Sequence, residues 1–470
     1  MLFYKLFTLV GIGILTFQFI VGRELWGDEA MLVNNIIERS FLELLQPMDD
    51  FQVAPIGYLM IQKLLIIMFG NGEWVFRCVS YLSLIGSIVL IPKLFRALAI
   101  PTENAWFSMS LLAILPATMI YGTEIKPYSC ELLFGILVLI NNRRIVSNSI
   151  REVIRFTLLV FVSILFSHAT YFVLTGVVLY LLAELLQNGN ISNIWKIFIP
   201  MLPLIFHYYL IAFDHPSKDH MMHFLADYFL VINSFEDVLL KSRGIAYEIF
   251  GRLGLLGVHY WIPSIVALGG FIYVVYKSRW LPLIIMPFVV LLIASALGLY
   301  SYVSRLIFFC LPGIIYLLTK GWMLIVGRLL QSSKLRSLLV IVPLGLWFVI
   351  TVKQVPFERL QIRTALRYVE SIPAAKVIVY PHPRSVYEYY LEKRGMCDGM
   401  NIQFGNGMED LNLFLTSENF TFESETHLII ADQYKFPKIL DSLAVKLEFM
   451  GVRITDQKDF KAVHVLKLVK

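Results

Sequence analysis

Residues 55–70 read PIGYLMIQKLLIIMFG, and whether they cross a membrane decides how the rest of the chain is threaded. The stretch has 16 residues, opens on Pro55 and carries Lys63, so it suits a short span and an interfacial helix equally. On either side lie apolar runs that read as membrane helices, near 4–22, 74–92, 104–121, 127–141, 154–168, 169–187, 196–213, 257–276, 281–299, 303–320 and 336–354. Basic residues favour the cytoplasmic side of a membrane and so separate the two threadings. With 55–70 left out and the N-terminus cytoplasmic, the inner segments hold 14 Lys/Arg against three acids, Glu103, Glu152 and Glu184. With 55–70 as a span, every later loop changes sides and the Arg143-Arg144 cluster moves outside. The first threading is adopted. It gives a multi-pass protein of the cell (inner) membrane with about 11 spans and an extracytoplasmic C-terminal domain.

Composition divides the chain in two. Of 470 residues, 58% are hydrophobic and 16% charged, and the mean hydropathy is +0.71. Residues 356–470 hold 15 Lys/Arg and 15 Asp/Glu, 26% of that segment, as in an ordinary soluble domain. Residues 1–355 are only 12% charged and carry the whole net charge of +6. The expected fold class is an α-helical polytopic membrane domain, 1–355, with outer loops 23–73 and 214–256, followed by a small α/β domain, 356–470. This balance excludes a soluble enzyme, a nucleic-acid binder and a disordered protein. The first apolar run is long and ends Gly22-Arg23-Glu24, which is no signal-peptide cleavage site. Cys78, Cys130, Cys310 and Cys397 lie far apart and form no CxxC pair, so no disulfide framework is implied.

Residues able to do chemistry gather at the outer ends of spans. Loop 23–73 opens RELWGDEA, and apolar residues recur at helical spacing from Asp28 to about Leu45, as in an amphipathic helix on the membrane surface. Asp28 and Glu29 open that helix. Asp28 reads either as an N-cap or as a carboxylate poised to act as a general base. Glu29, about 100° further round, suits a supporting role. In DDFQVAPIGY, Gln52 precedes a proline fitted to begin a short helix.

Residues 121–129, YGTEIKPYS, join two closely spaced spans. Glu124 and Lys126 at membrane depth are costly unless they pair or line an aqueous cavity, so they read as an ion-paired turn or a site. His168 lies at the join of the fifth and sixth spans, on the same side. Arg305, in SYVSRL, opens an apolar helix and either snorkels or binds an anionic head group. In loop 214–256 the run DHPSKDHMMH holds three His and two Asp, a possible divalent-cation site without the spacing of a strong metal motif.

Taken in order, these pieces resemble the GT-C membrane glycosyltransferases, in the bacterial branch related to protein O-mannosyltransferases and the aminoarabinose transferase of lipid A. The resemblance rests on WGDEA, QVAPIGY, GNGEWVFR, EIKPY, FSHATYF and SRLIFFCLP, and covers roughly residues 1–320. It implies an active site on the outer face and a polyprenyl-phosphate-linked sugar as donor. By that likeness Asp28 is the catalytic carboxylate, Lys126 and Arg305 contact the lipid phosphate, and Glu124, Tyr128 and His168 line the pocket. Lys126 departs from the group, where Arg is usual, replacing a planar fork by a point charge. No metal ligand carries over residue by residue, and no cofactor is certain.

The chemistry agrees with that donor. Outside the cytoplasm there is no pool of nucleotide sugars, so an activated sugar arrives on a lipid. A departing phosphate needs cations, and an attacking hydroxyl needs a base. The expected partners are therefore the lipid donor, the bilayer and a glycan, lipid or protein acceptor, with no nucleic acid. Two other readings are weighed. A lipid-linked oligosaccharide flippase favours internal repeats, which are absent here. A polysaccharide polymerase or ligase, using a pyrophosphate-linked donor, favours larger outer basic clusters. In the C-terminal domain the pattern predicts helices over 357–371, 385–393 and 436–447 and strands over 376–380, 426–431 and 463–469. The glycines of FGNGMED read as a turn, and Asn419-Phe420-Thr421 as a weak glycosylation sequon.

Overall fold

A computed structural model describes residues 2–212, 216–254, 256–277, 281–329, 333–372, 376–380, 384–404, 426–431, 443–445 and 447–469. Helix occupies the apolar stretches. Five of the described helices are long and apolar enough to cross a membrane alone: Leu2–Val21, Glu73–Ala97, Thr170–Gln187, Gly257–Tyr276 and Phe308–Arg328. Other stretches are shorter or broken. Pro116 divides one of them into Thr102–Ile114 and Pro116–Tyr121, because the residue before a proline is driven out of the helical region; Leu115 is extended, at φ −63° and ψ 136°. The carbonyls released there are recovered from the side. Thr118 Oγ1 donates to Leu112 O and Thr351 Oγ1 to Ile114 O, each at 2.6 Å. An apolar interior offers no water for the purpose.

The chain divides into two compact units, Met1–Val21, Arg39–Gly70 and Trp74–Val355 forming the first. In it the Tyr4 hydroxyl donates to Glu103 at 3.3 Å and the Lys5 ammonium lies 5.5 Å from the Trp106 ring centre. The start of the first helix and the residues after Glu73–Ala97 thus lie at one end of the bundle. Helix Ile56–Phe69, between those two, has 14 residues, about 21 Å at 1.5 Å per residue. Other segments assigned to one side by charge also meet: Arg143 pairs with Glu184 at 2.5 Å, and Lys196 donates to Ser147 O at 3.0 Å. Small residues let backbones touch elsewhere. A Cβ on Gly321 would sit 1.8 Å from Val266 O, and one on Gly270 2.1 Å from Leu317 O, so helices Trp261–Lys277 and Leu311–Leu329 pack backbone to backbone.

The second unit comprises Gly22–Glu38, Asn71–Glu73 and Pro356–Lys470. Its sheet has strands β1 (Lys376–Val379), β2 (Ile402–Phe404), β3 (Thr426–Ala431), β4 (Arg453–Phe460) and β5 (Val463–Val469), in the order β2-β1-β3-β5-β4. β1 pairs parallel with β2 and β3, and β5 antiparallel with β3 and β4. Helix Ile362–Glu370 turns Ile362, Ala365, Leu366 and Val369 inward, at spacings of three and four. The core sets Ile378 and Tyr380 against Leu428, Ile430, Leu466 and Leu468.

Three expectations change. The helix over 385–393 is a short Arg384–Glu388 followed by a wider turn, Tyr389–Lys393. β4 is a strand the pattern did not predict, and the short possible strand before the FGNGMED glycines is β2. Helix Gly27–Glu38 is not a membrane-surface helix: Leu32 and Val33 on one side and Asn34 and Asn35 on another are buried, and it belongs to the second unit rather than the membrane part. The FGNGMED turn beyond Phe404, the sequon at 419–421 and most of 436–447 lie outside the described residues.

Candidate active site

Residues 121–129 form a wholly buried turn, held from the side by helix Glu73–Ala97. Arg77 donates from Nε to Thr123 O at 2.8 Å and Ser80 from Oγ to Lys126 O at 3.0 Å. Ser129 Oγ closes the turn on Tyr121 O at 2.8 Å. The turn therefore presents its side chains from a fixed backbone. Lys126, 6% exposed, donates to Gln52 Oε1 at 2.6 Å, while the Gln52 amide donates to Asp50 O at 3.3 Å. Two residues singled out separately in the sequence thus form one contact. Glu124 and Tyr128 are buried in the same turn, and Tyr128 packs edge-on against Tyr121, which packs against Phe308.

Gln52 is placed by the helix that begins just after it. Pro55 stands at the cap of helix Ile56–Phe69, and Gly57 lets that helix meet the end of helix Ile150–Phe166, since a Cβ there would lie 2.7 Å from Leu165 O. Beyond Phe166 the chain turns at Ser167-His168-Ala169 and re-enters helix at Thr170. The backbone N–H groups of His168 and Ala169 donate to the buried carboxylate of Glu131. An acid at the start of a helix satisfies donors that have no partner within it. Sequence reasoning passed over Glu131, although a carboxylate inside an apolar helix was a signal.

Arg305 does not open a helix. It sits in an irregular stretch, with helix resuming only at Phe308–Cys310 and Leu311–Leu329. Ser304 N–H donates to Glu248 at 2.8 Å and Tyr302 N–H to Tyr228 O at 3.0 Å, so loop 214–256 supplies the acceptors that shape the backbone around Arg305. In the same loop His220 stacks on Phe51, with ring centres 3.9 Å apart. Asp214 and His215 lie outside the described residues, and among the described residues no three His, Cys, Asp or Glu side chains cluster as a metal site would require.

Asp28 and Glu29 lie in the second unit. Glu29 is fully buried and pairs with Arg23 at 2.9 Å, and its other oxygen accepts from Trp26 N–H at 3.5 Å, reaching back over the helix start. Glu29 thus makes a capping contact at this helix start, and Asp28 is the more exposed of the two.

No protein-family model and no curated protein sequence matches the chain. Its structure superposes on ArnT from Cupriavidus metallidurans bound to undecaprenyl phosphate, with a TM-score of 0.56 and 10% identity over 98% of this chain and 97% of that one. The apo form of the same protein gives 0.54 and 12% over the same shares. The chain shares the ArnT fold over nearly its whole length. An oligosaccharyltransferase of Archaeoglobus fulgidus, tethered with an acceptor peptide, comes next at 0.44 and 11%, over 85% of this chain and 63% of the other. The likeness to that fold covers 98% of this chain, beyond the stretch of roughly 320 residues that the sequence motifs covered.

Proposed function

We propose that the protein transfers a sugar from a polyprenyl-phosphate donor to an acceptor hydroxyl on the outer face of the cell (inner) membrane. The observation that carries this reading is Lys126, a residue almost wholly buried on a turn held by Arg77 and Ser80 and oriented by Gln52, in a fold shared with a protein bound to undecaprenyl phosphate. A cation so placed is expensive in an apolar surrounding, and an anionic lipid head group gives it a purpose.

In the proposed reaction the acceptor oxygen attacks the anomeric carbon and its proton passes to Asp28. The bond from that carbon to the phosphate oxygen breaks, and the electron pair leaves with the polyprenyl phosphate. Lys126 and Arg305 stabilise the charge that develops there. Glu124, Tyr128 and His168 shape the pocket, and Glu29 fixes the Asp28 helix through Arg23. A single displacement of this kind inverts the anomeric centre. No step is routed through a metal ion; a divalent cation, if bound, would add to the charge opposite the phosphate. Purified protein incubated with a panel of polyprenyl-phosphate sugars should release the lipid phosphate from one of them in an acceptor-dependent manner. Acceptor-dependent turnover of a pyrophosphate-linked glycan instead would favour the polymerase reading.

A further inference from the structure

The segment carrying Asp28 is folded as a part of the C-terminal α/β unit, and the contacts that hold it are mostly polar, several of them buried. Glu24, 2% exposed, accepts from the backbone N–H of Arg363 at 2.5 Å and of Thr364 at 3.1 Å. Those donors belong to the first turn of helix Ile362–Glu370, whose own cap residue, Gln361, makes no side-chain cap bond. A glutamate more than 300 positions away thus supplies the anion that a helix N-terminus favours. Arg363 then reaches back, donating to Gly22 O at 3.2 Å and pairing with Glu73. The Tyr390 hydroxyl joins both strands of the connection, accepting from Leu25 N–H at 2.9 Å and donating to Glu73 at 2.6 Å. Downstream of Asp28, Asn34 donates to Ser385 O at 3.0 Å and Glu38 pairs with Lys393 at 2.7 Å. Upstream, Arg359 lies over the Trp26 ring at 4.2 Å. The helix bearing Asp28 is therefore fastened at its entrance, middle and end to one domain.

We propose that the C-terminal α/β domain is a clamp that positions the Asp28 carboxylate, with Arg363 and Tyr390 as its positioning residues, rather than a cover or an acceptor-binding module alone. The proposal rests on Asp28 being the base of the transfer reaction. A base displaced by about 1 Å costs roughly a hundredfold in rate, so a domain devoted to holding one helix has a catalytic effect without touching substrate. Neither Arg363 nor Tyr390 needs to contact donor or acceptor.

Tyr390→Phe keeps the ring and deletes the hydroxyl that meets both Leu25 and Glu73. Amide hydrogen exchange across residues 24–38 should quicken by about tenfold or more. Turnover should fall roughly 10- to 100-fold with little change in donor KM, since Lys126, Gln52 and Arg305 belong to the other unit. Thr364→Val, which deletes one hydroxyl donor to Glu24, is the milder second variant and should move both readouts in the same direction. Asp28→Asn is assayed beside them. If exchange over 24–38 stays at the wild-type rate in both variants, the clamp is overturned whatever Asp28 does. If exchange quickens but turnover holds while Asp28→Asn is inactive, the positioning role is overturned and the base assignment stands. If Asp28→Asn is itself active, the base assignment fails and takes the catalytic half of the proposal with it.

Discussion

Replacing Lys126 by Met removes one charge and keeps nearly the same volume, and the structure sets the size of the expected effect. Lys126 is 6% exposed, so water has little access to take over its role, and its bond to Gln52 at 2.6 Å is short. A hydrogen bond to a charged group contributes about 1.5–3 kcal/mol, equivalent to a factor of about 10 to 150 in affinity. Undecaprenyl phosphate should bind the Lys126→Met protein more weakly by that factor, measured by titration of purified protein in detergent. Undecaprenol, which lacks the phosphate, should bind both proteins alike. Lys126→Arg should restore most of the affinity, since it returns the charge. Gln52→Leu should cost less, up to about tenfold, because it only frees the lysine stem to be ordered again on binding, at about 0.5–1.5 kcal/mol. Equal affinity of Lys126→Met and wild type for undecaprenyl phosphate would refute the assignment of this turn to the phosphate.

Two further outcomes are set by the charges. Burial pushes the Glu24 carboxyl from its ordinary 4.5 up to about 6, against the pull of Thr364 and Arg363, with Glu358 adding to the rise. An acid raised on folding adds stability below its unfolded value and loses it as pH rises through the folded one, here between about 4.5 and 6. Relative to Glu24→Gln, the wild type should therefore gain about 2 kcal/mol as pH falls from 7 to 4.5, read by thermal unfolding; a relative loss would mean that the bonds to Arg363 and Thr364 outweigh burial. Cysteines introduced at exposed Ser40 and Asn148 test the threading. An impermeant thiol reagent applied outside should label Ser40→Cys and spare Asn148→Cys, and the reverse would invert the orientation.

What the sequence revealed tracks what is local. The apolar runs are visible because a membrane helix must be apolar along its whole length. β3 (THLIIA) and β5 (VHVLKLV) are visible because a central strand and its neighbour need branched apolar residues. β4 (RITDQKDF) is not, because an edge strand carries charges that discourage further pairing and so resembles a loop. The EIKPY turn stood out through charge at membrane depth, and the same rule should have found Glu131. The pairing of Lys126 with Gln52, 74 positions apart, and of Glu24 with helix Ile362–Glu370 lies in tertiary packing. No periodicity encodes it. The apolar spacing after Asp28 suggested a membrane surface as its partner, and the structure supplies a protein surface instead, since apolar periodicity states that a face is covered but not by what.

The central claim is that Asp28 accepts the proton of an acceptor hydroxyl as a sugar leaves a lipid phosphate. It is tested most directly by the acceptor-dependent release of polyprenyl phosphate by wild type and Asp28→Asn, purified side by side and matched in melting temperature. The account predicts a fall of about 10²- to 10⁴-fold in turnover for the variant, with donor affinity kept. Turnover of Asp28→Asn within a few-fold of wild type would contradict it.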